Sequence, residues 1–147
     1  MSTACLIRRT IEPSYRPTAP ISTSRDFVTS PSPEFTALIR EVAKLTNLPV
    51  NWDLEGGLPV SQDAALSSLP VLRLGAELGV IAHVMPLSDG ALLAEWHYGD
   101  RLLQIEWSPA GAGEYDYAEL HELRDEGPLP HDPRGLFLYL LGGRRAD

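Results

Sequence analysis

The chain has 147 residues, 44% of them hydrophobic, which suits one domain around one core, and no apolar run approaches the roughly 20 residues that a membrane span needs. Its formal charge of −8 is unevenly divided, because residues 1–33 carry four arginines against Glu12 and Asp26, a net +2, which leaves −10 for the remaining 114 residues. Such an acidic body repels nucleic-acid phosphates, which argues against direct nucleic-acid binding and favours a protein partner with a basic surface.

The start of the chain lacks the long apolar stretch and the small-residue cleavage site of a secretory signal, which predicts a cytoplasmic protein. Cys5 is the only cysteine, so neither an internal disulfide nor a zinc site with several thiolate ligands is expected. The chain carries no cofactor motif, and we expect no cofactor.

Residues 1–33 are rich in proline, serine and threonine, which disfavours a helix or a central strand. We predict an extended arm over 1–33, with a short edge strand at 4–7, followed by a single α+β domain over 34–147. Arg8, Arg9 and Arg16 give the arm positive charge that suits pairing with acidic groups. The sequence leaves open whether those groups belong to a partner or to the chain's own acidic body.

Two helices are expected to open the domain. Ser32 as N-cap and Pro33 at the first helical position predict a helix that ends near Asn47. Ser61 at the start and Asp63 in the first turn predict a second helix over 61–79, with Pro70 inside it. Because a proline removes one helical hydrogen bond and clashes with the preceding turn, this helix is expected either to kink or to divide in two.

A β-hairpin is the clearest prediction from the sequence. Gly99 and Asp100 separate two runs in which apolar and polar residues alternate, and they are predicted to form a two-residue turn. Trp96 then faces Leu103, and burial of Trp96 and Trp107 fixes this register, because a one-residue slip would set polar side chains against them. The outward face is predicted to carry Ala91, Leu93, Glu95, His97, Leu102, Gln104, Glu106 and Ser108.

The rest of the sheet is less clearly marked. Residues 80–87 are predicted as the first strand and 114–123 as a fourth strand, at an edge because neither of its faces is cleanly apolar. Residues 125–131 are predicted to form a loop, and 133–141 a last helix, although the uniformly apolar stretch 136–141 also suits a buried strand. Together these elements predict an α+β fold, an antiparallel β-meander of about four strands with two or three helices packed on one face.

The stretch Asn-Trp-Asp-Leu-Glu-Gly-Gly-Leu-Pro-Val-Ser at 51–61 is followed by Asp-Gly at 89–90 and by the hairpin around Trp96. In these features the chain resembles a family of small, uncharacterised bacterial and phage proteins with an N-W-D-x-x-G-(A/G)-x-P-(I/V)-S loop before a D-G-x-(I/L)-x-(I/L)-E-W hairpin. The resemblance covers about residues 47–110 and implies the fold but no activity. Leu54 stands where family members place a glycine, so the loop is expected to bend differently.

Three residues of this loop are candidates for binding a partner. Trp52, Asp53 and Glu55 can form a clamp, an aromatic platform beside two acceptors. The alternative, which the sequence favours, is structural. In it Trp52 fills the core between helix and sheet, Asp53 accepts hydrogen bonds from loop amides, and one of the two loop glycines, 56 or 57, adopts a positive φ.

The outward face of the hairpin is the second candidate. Six polar side chains are expected to share or join it, namely Glu95, His97, Gln104 and Glu106 of the hairpin and Glu119 and His121 of the next strand. Imidazoles and carboxylates can hold a divalent metal or act as a general acid and base, and the metal candidates are Glu95, His97, Glu106 and His121. A solvated polar face is the simpler explanation, because antiparallel sheets commonly face water on one side.

The sequence does not supply the parts of a familiar catalytic motif. It has no Gly-x-Ser-x-Gly stretch, and Gly-Ala-Gly at 111–113 lacks a P-loop lysine. We therefore expect a non-enzymatic, acidic protein-binding module of the antitoxin, immunity-protein, chaperone or phage-inhibitor type, which covers or sequesters a protein partner. The alternatives are an enzyme that uses a metal or another ligand on the outward hairpin face, and a structural subunit of a larger assembly. Self-association stays open.

Overall fold

The computed structural model describes residues 31–142. Its elements, in chain order, are α1 (Pro33–Thr46), α2 (Gln62–Glu77), β1 (His83–Pro86), β2 (Leu92–Tyr98), β3 (Arg101–Trp107), β4 (Gly113–Glu119), β5 (Glu122–Pro128) and α3 (Arg134–Leu140). The five strands form one antiparallel sheet in chain order, which confirms the predicted α+β meander and adds one strand to it. The arginines predicted to make the arm basic, Arg8, Arg9 and Arg16, and the short strand at 4–7 lie outside the described residues.

Helix α1 begins and ends as predicted. The Ser32 hydroxyl accepts a hydrogen bond from the Phe35 amide at 3.1 Å, Pro33 occupies the first turn, and Asn47 is the C-cap. One face of α1 is buried through Phe35, Leu38 and Val42 and belongs to the core. The helix therefore forms where its cap and its apolar stripe coincide.

Helix α2 runs from Gln62 to Glu77 without interruption, so the predicted division into two short helices is wrong. The Ser61 hydroxyl caps it by accepting a hydrogen bond from the Ala64 amide at 3.0 Å. Pro70 and Leu66, whose carbonyl loses its helical partner to the proline, both lie on the exposed side. A carbonyl at that position can be solvated, which lets the helix continue.

The hairpin of β2 and β3 has the predicted register, with Trp96 opposite Leu103 and Tyr98 opposite Arg101. On its inward face, the side chains of the three pairs from Leu92–Trp107 to Trp96–Leu103 are buried, each with an exposed fraction of 1% or less. Tyr98 at the end of β2 is 49% exposed, so the core stops one pair short of the turn. The two tryptophans and the tight turn thus set the alternation of the whole sheet.

The predicted fourth strand is wrong in extent and in position. Strand β4 ends at Glu119, Leu120 and His121 form a turn, and β5 occupies most of the range predicted as a loop. Because β5 pairs with β4, the strand at this edge of the sheet is β5 and not β4. Both turn residues have positive φ, 53° and 67°, a conformation normally signalled by glycine, asparagine or aspartate, and neither residue is one of these.

Both edge strands depart from a regular strand. Strand β5 contains a register shift opposite Tyr117 and Ala118, which leaves Arg124 as an extra residue, a β-bulge. Strand β1 is four residues long and begins at His83, three residues later than predicted, because the Val80 amide donates to the carbonyl of Gly75 at the end of α2. It ends at Pro86, and a turn follows at 88–90.

The core lies between one face of the sheet and the three helices. Residues 136–141 belong to a helix and not to a buried strand, and α3 begins at Arg134, one residue later than predicted. The Trp96 ring meets the ring of Phe137 edge-on, with centroids 5.0 Å apart and planes at 86°. Arg101 fastens the end of α3, because its Nη1 donates to the carbonyls of Tyr139 and Leu140 at 3.5 and 3.3 Å.

Candidate protein-binding face

One face of the sheet is free of the described helices, which pack on the other, and we call it the open face. Strand alternation and the register place its side chains in three rows that run across the sheet. They are Met85, Leu93, Glu106, Glu114 and Pro128, then His83, Glu95, Gln104, Asp116 and Glu126, then His97, Leu102, Ala118 and Leu123. Every one of these side chains is exposed or partly exposed.

The open face is strongly acidic. It carries five carboxylates, those of Glu95, Glu106, Glu114, Asp116 and Glu126. The three rows contain neither lysine nor arginine, and their only basic groups are the imidazoles of His83 and His97. A face with charge of one sign attracts cationic groups and repels anions over a distance of about 8 Å at physiological salt.

Like charges meet directly at one point of the open face. Glu106 of β3 is the register partner of Glu114 of β4, and the two line a cavity of about 210 Å³ together with Asp116. Burial raises the pKa of Glu106 above its ordinary value, and the charges of Asp89, Glu114 and Asp116 raise it further. A raised carboxyl pKa means that the folded state binds protons more readily, so ionisation of Glu106 opposes folding at neutral pH and this effect weakens as pH falls.

The structure brings together only part of the set of six side chains predicted for a metal or acid–base site. Glu95 accepts a hydrogen bond from Gln104 and lies 3.4 Å from Nε2 of His97. Glu119 points to the opposite face, where it lies 3.7 Å from Nε of Arg101. Within residues 31–142, no group of three or more histidine, cysteine, aspartate or glutamate side chains has the geometry to hold a metal ion.

A groove lies where the hairpin turns meet at one end of the open face. We call it the turn-end groove; it has a volume of about 280 Å³ and is lined by His97, Gly99, Asp100, Arg101, Leu102, Ala118, Leu120 and His121. The Leu120 amide donates to the carbonyl of Asp100 at 3.0 Å and so joins the β4–β5 turn to the β2–β3 turn. No pattern in the sequence predicts this groove, because the Leu120–His121 turn lacks the usual turn residues.

The loop at 51–57 is held together by its own polar side chains. Oδ1 of Asp53 accepts hydrogen bonds from the amides of Glu55 at 2.9 Å and Gly57 at 2.7 Å, as predicted. These two bonds, that from Glu55 first, lower the pKa of Asp53. Oδ1 of Asn51 accepts from the Gly56 amide at 2.6 Å. The Asp53 carboxylate is therefore already engaged within its own loop.

Trp52 does not have the predicted place in the core. Its ring is partly exposed and lies outside the core cluster, and its Nε1 donates to the carbonyl of Leu58 at 2.7 Å. Gly56 has the predicted positive φ, 83°. Glu55 is exposed at the loop surface, next to Leu54. The structure thus brings the three proposed clamp residues into one loop, and their role in binding a partner stays a prediction.

Replacing Leu54 by glycine is expected to raise the free energy of unfolding by about 1 kcal/mol, because a left-handed residue with a Cβ is strained. Leu54 has φ 65° and is 85% exposed, so its side chain contributes little burial that the substitution would lose. Urea denaturation followed by tryptophan fluorescence measures the change. A lower midpoint for the glycine variant would show that the leucine side chain stabilises the loop.

Comparison of the chain with protein-family models, with curated proteins and with solved structures finds no match. The resemblance to the small bacterial and phage family, drawn from the loop and the hairpin, therefore stays a prediction. No helix within residues 31–142 is long and apolar enough to cross a membrane.

Proposed function

We propose that the chain is a non-enzymatic, acidic protein-binding module whose open face covers a basic surface of a protein partner. One observation supports this most directly. The three rows of a helix-free sheet face bear five carboxylates and neither lysine nor arginine, although burial and the charges of Asp89, Glu114 and Asp116 make the ionisation of Glu106 oppose folding. A cationic partner surface would relieve this repulsion on binding.

The composition of the open face suits contact with a protein. Partly exposed apolar side chains, such as Met85, Leu93 and Leu102, lie between the carboxylates. Protein interfaces combine apolar contact, which excludes water, with charged groups, which select the partner and accelerate the encounter. The open face offers both within the same three rows.

The edges of the sheet suit a partner less well. Strand β1 has four residues and ends at Pro86, and β5 carries the bulge at Arg124 and ends at Pro128. Short length, proline, charge and bulges are the features by which proteins block pairing with an added strand. We therefore place the contact on the open face and not along an edge.

This function agrees with the modes of action expected from the sequence. An antitoxin, an immunity protein, a chaperone or a phage inhibitor acts by covering a surface of another protein, and none of these needs a catalytic group. The partner would carry clustered lysine and arginine and would be reached in the cytoplasm.

The experiment is affinity purification of the tagged chain from its native host, followed by mass spectrometry. The test variant is Glu106→Lys/Glu114→Lys, which inverts the charge of the pair and keeps one like-charge contact, so the fold should tolerate it. The control variant, Glu41→Lys/Glu77→Lys, makes the same change in net charge on exposed helix positions. Circular dichroism verifies that both are folded.

We expect wild type and control to retain the same host protein and the test variant to lose it. With the purified partner, the test variant should bind about tenfold more weakly or worse, and wild-type binding should weaken as salt is raised. Retention of the partner by the test variant at unchanged affinity would contradict the proposal, as would binding that ignores salt.

A further inference from the structure

The sheet exposes its large apolar side chains at one end only. Within the described strands and hairpin turns these are Tyr98, Leu120 and Leu123, which are 49%, 59% and 56% exposed. Leu120 lines the turn-end groove, and Leu123 is the register partner of Ala118, which also lines it. The open face is thus polar across its middle and apolar beside the groove.

The groove is built on a strained turn. Leu120 and His121 both adopt the left-handed conformation, which is strained for a residue with a Cβ. Strain of this kind persists where surrounding structure imposes it, and it occurs often at binding sites. Here the hydrogen bond from the Leu120 amide to Asp100 holds the turn, and the turn places an exposed leucine at the groove.

The charges around the groove select the kind of segment that can enter it. Asp100 and Arg101 both line the groove, but the Arg101 guanidinium lies beside Glu119 and donates to the carbonyls at the end of α3. Glu95 and Asp116 lie two positions along their strands from the lining residues His97 and Ala118. The volume of about 280 Å³ is below the range of about 300–1,000 Å³ that is typical of drug-sized ligands, so it suits a single side chain.

From these observations we infer that the turn-end groove receives one large apolar side chain of the partner, flanked in the partner by lysine or arginine. This inference rests on the proposed function, and it adds an anchor residue to the charge contact. The apolar side chain would bury Leu120 and Leu123, and the flanking cations would meet the carboxylates of the open face.

The test is panning of a random dodecamer peptide library against the immobilised full-length chain. Enriched peptides are synthesised and titrated into the protein by calorimetry. We expect them to share one large aromatic or aliphatic residue next to at least two lysines or arginines. Exchange of that apolar residue for serine should abolish measurable binding. Enriched peptides that are basic but keep their affinity after this exchange would overturn the inference.

A matched pair of variants locates the contact. Leu120→Asn and Leu54→Asn make the same substitution at exposed, left-handed leucines, one at the groove and one in the loop at 51–57. Asparagine tolerates this conformation well, so both variants should be at least as stable as wild type. Of this pair, only Leu120→Asn should weaken binding of the enriched peptides, by about tenfold. A third variant, Leu123→Gln, should also weaken their binding.

The outcomes separate the two proposals. If Leu120→Asn and Leu123→Gln bind as wild type while Glu106→Lys/Glu114→Lys does not, the groove inference fails and the proposed function stands. The groove inference also fails if Leu54→Asn weakens binding as much as Leu120→Asn. Peptides that need the apolar residue but neither cations nor low salt would overturn both the flanking cations of this inference and the charge contact of the proposed function.

Discussion

Replacing Trp96 by alanine is expected to lower the free energy of unfolding by about 3–5 kcal/mol, the usual range for removal of a large aromatic side chain from a core. The side chain has no exposed surface and meets the Phe137 ring at a centroid distance of 5.0 Å. It also lies opposite Leu103, so its loss would leave a cavity between sheet and α3. Urea or guanidinium denaturation followed by far-ultraviolet circular dichroism measures the change.

One feature of Trp96 moderates this expectation. Its Nε1 is buried without a hydrogen-bond partner in the part of the chain that the structure describes, and removing an unpaired buried donor relieves about 1–3 kcal/mol. We therefore expect a value near the lower end of the range. Trp52→Ala is the control, because Trp52 lies outside the core and should lose little beyond its bond to Leu58. Equal midpoints for the two alanine variants would show that Trp96 is not central to the core.

The hairpin could be predicted residue by residue because two independent features agree there. The Gly99–Asp100 pair fixes the length of the turn, and the burial of Trp96 and Trp107 fixes which face is inward. Each feature alone would allow a slip of one residue. The same agreement predicted α1, where a serine cap and an apolar stripe begin at the same place.

The second half of the sheet could not be predicted in the same way. The turn at Leu120–His121 is formed by residues that rarely adopt positive φ, and the bulge at Arg124 breaks the alternation in β5. Local propensity therefore gave no signal for a strand boundary, and the pairing of β5 with β4 decides the structure instead. The core position predicted for Trp52 is wrong because the N–H of its indole is satisfied by one loop carbonyl, that of Leu58, without entering the core.

The same limits explain how much of the open face was foreseen. The register placed Glu95, His97, Gln104 and Glu106 on it correctly. The outward face predicted for Glu119 is wrong, because Glu119 shares a face of its strand with Tyr115 and Tyr117, whose burial turns it inward. Glu114 and Asp116 alternate with the same tyrosines and could have been found by treating these as core residues. Glu126 required the unforeseen strand β5.

Replacing Gly75 by alanine is expected to lower the free energy of unfolding by about 1–3 kcal/mol, as overpacking of a core does. A Cβ at this position of α2 would lie 2.7 Å from Nε1 of Trp96, 3.1 Å from Cε1 of Phe137 and 3.2 Å from the carbonyl oxygen of Val80. The two rings are held edge-to-face and the carbonyl belongs to the backbone, so none of the three can yield easily. Chemical denaturation measures the loss.

The sign of this effect is informative because helix propensity acts in the opposite direction. Alanine is favoured over glycine within a helix by about 1 kcal/mol, so a Gly75→Ala variant that gains stability would mean that α2 does not touch Trp96. Gly135→Ala in α3 is the matched control, since a Cβ there meets no other atom within 4 Å, and it should stabilise the protein. Combining Gly75→Ala with Trp96→Phe removes the indole edge from the clash. The double variant should therefore be more stable than the sum of the two single effects predicts, which would establish that α2 packs directly on the residue that fixes the register of the sheet.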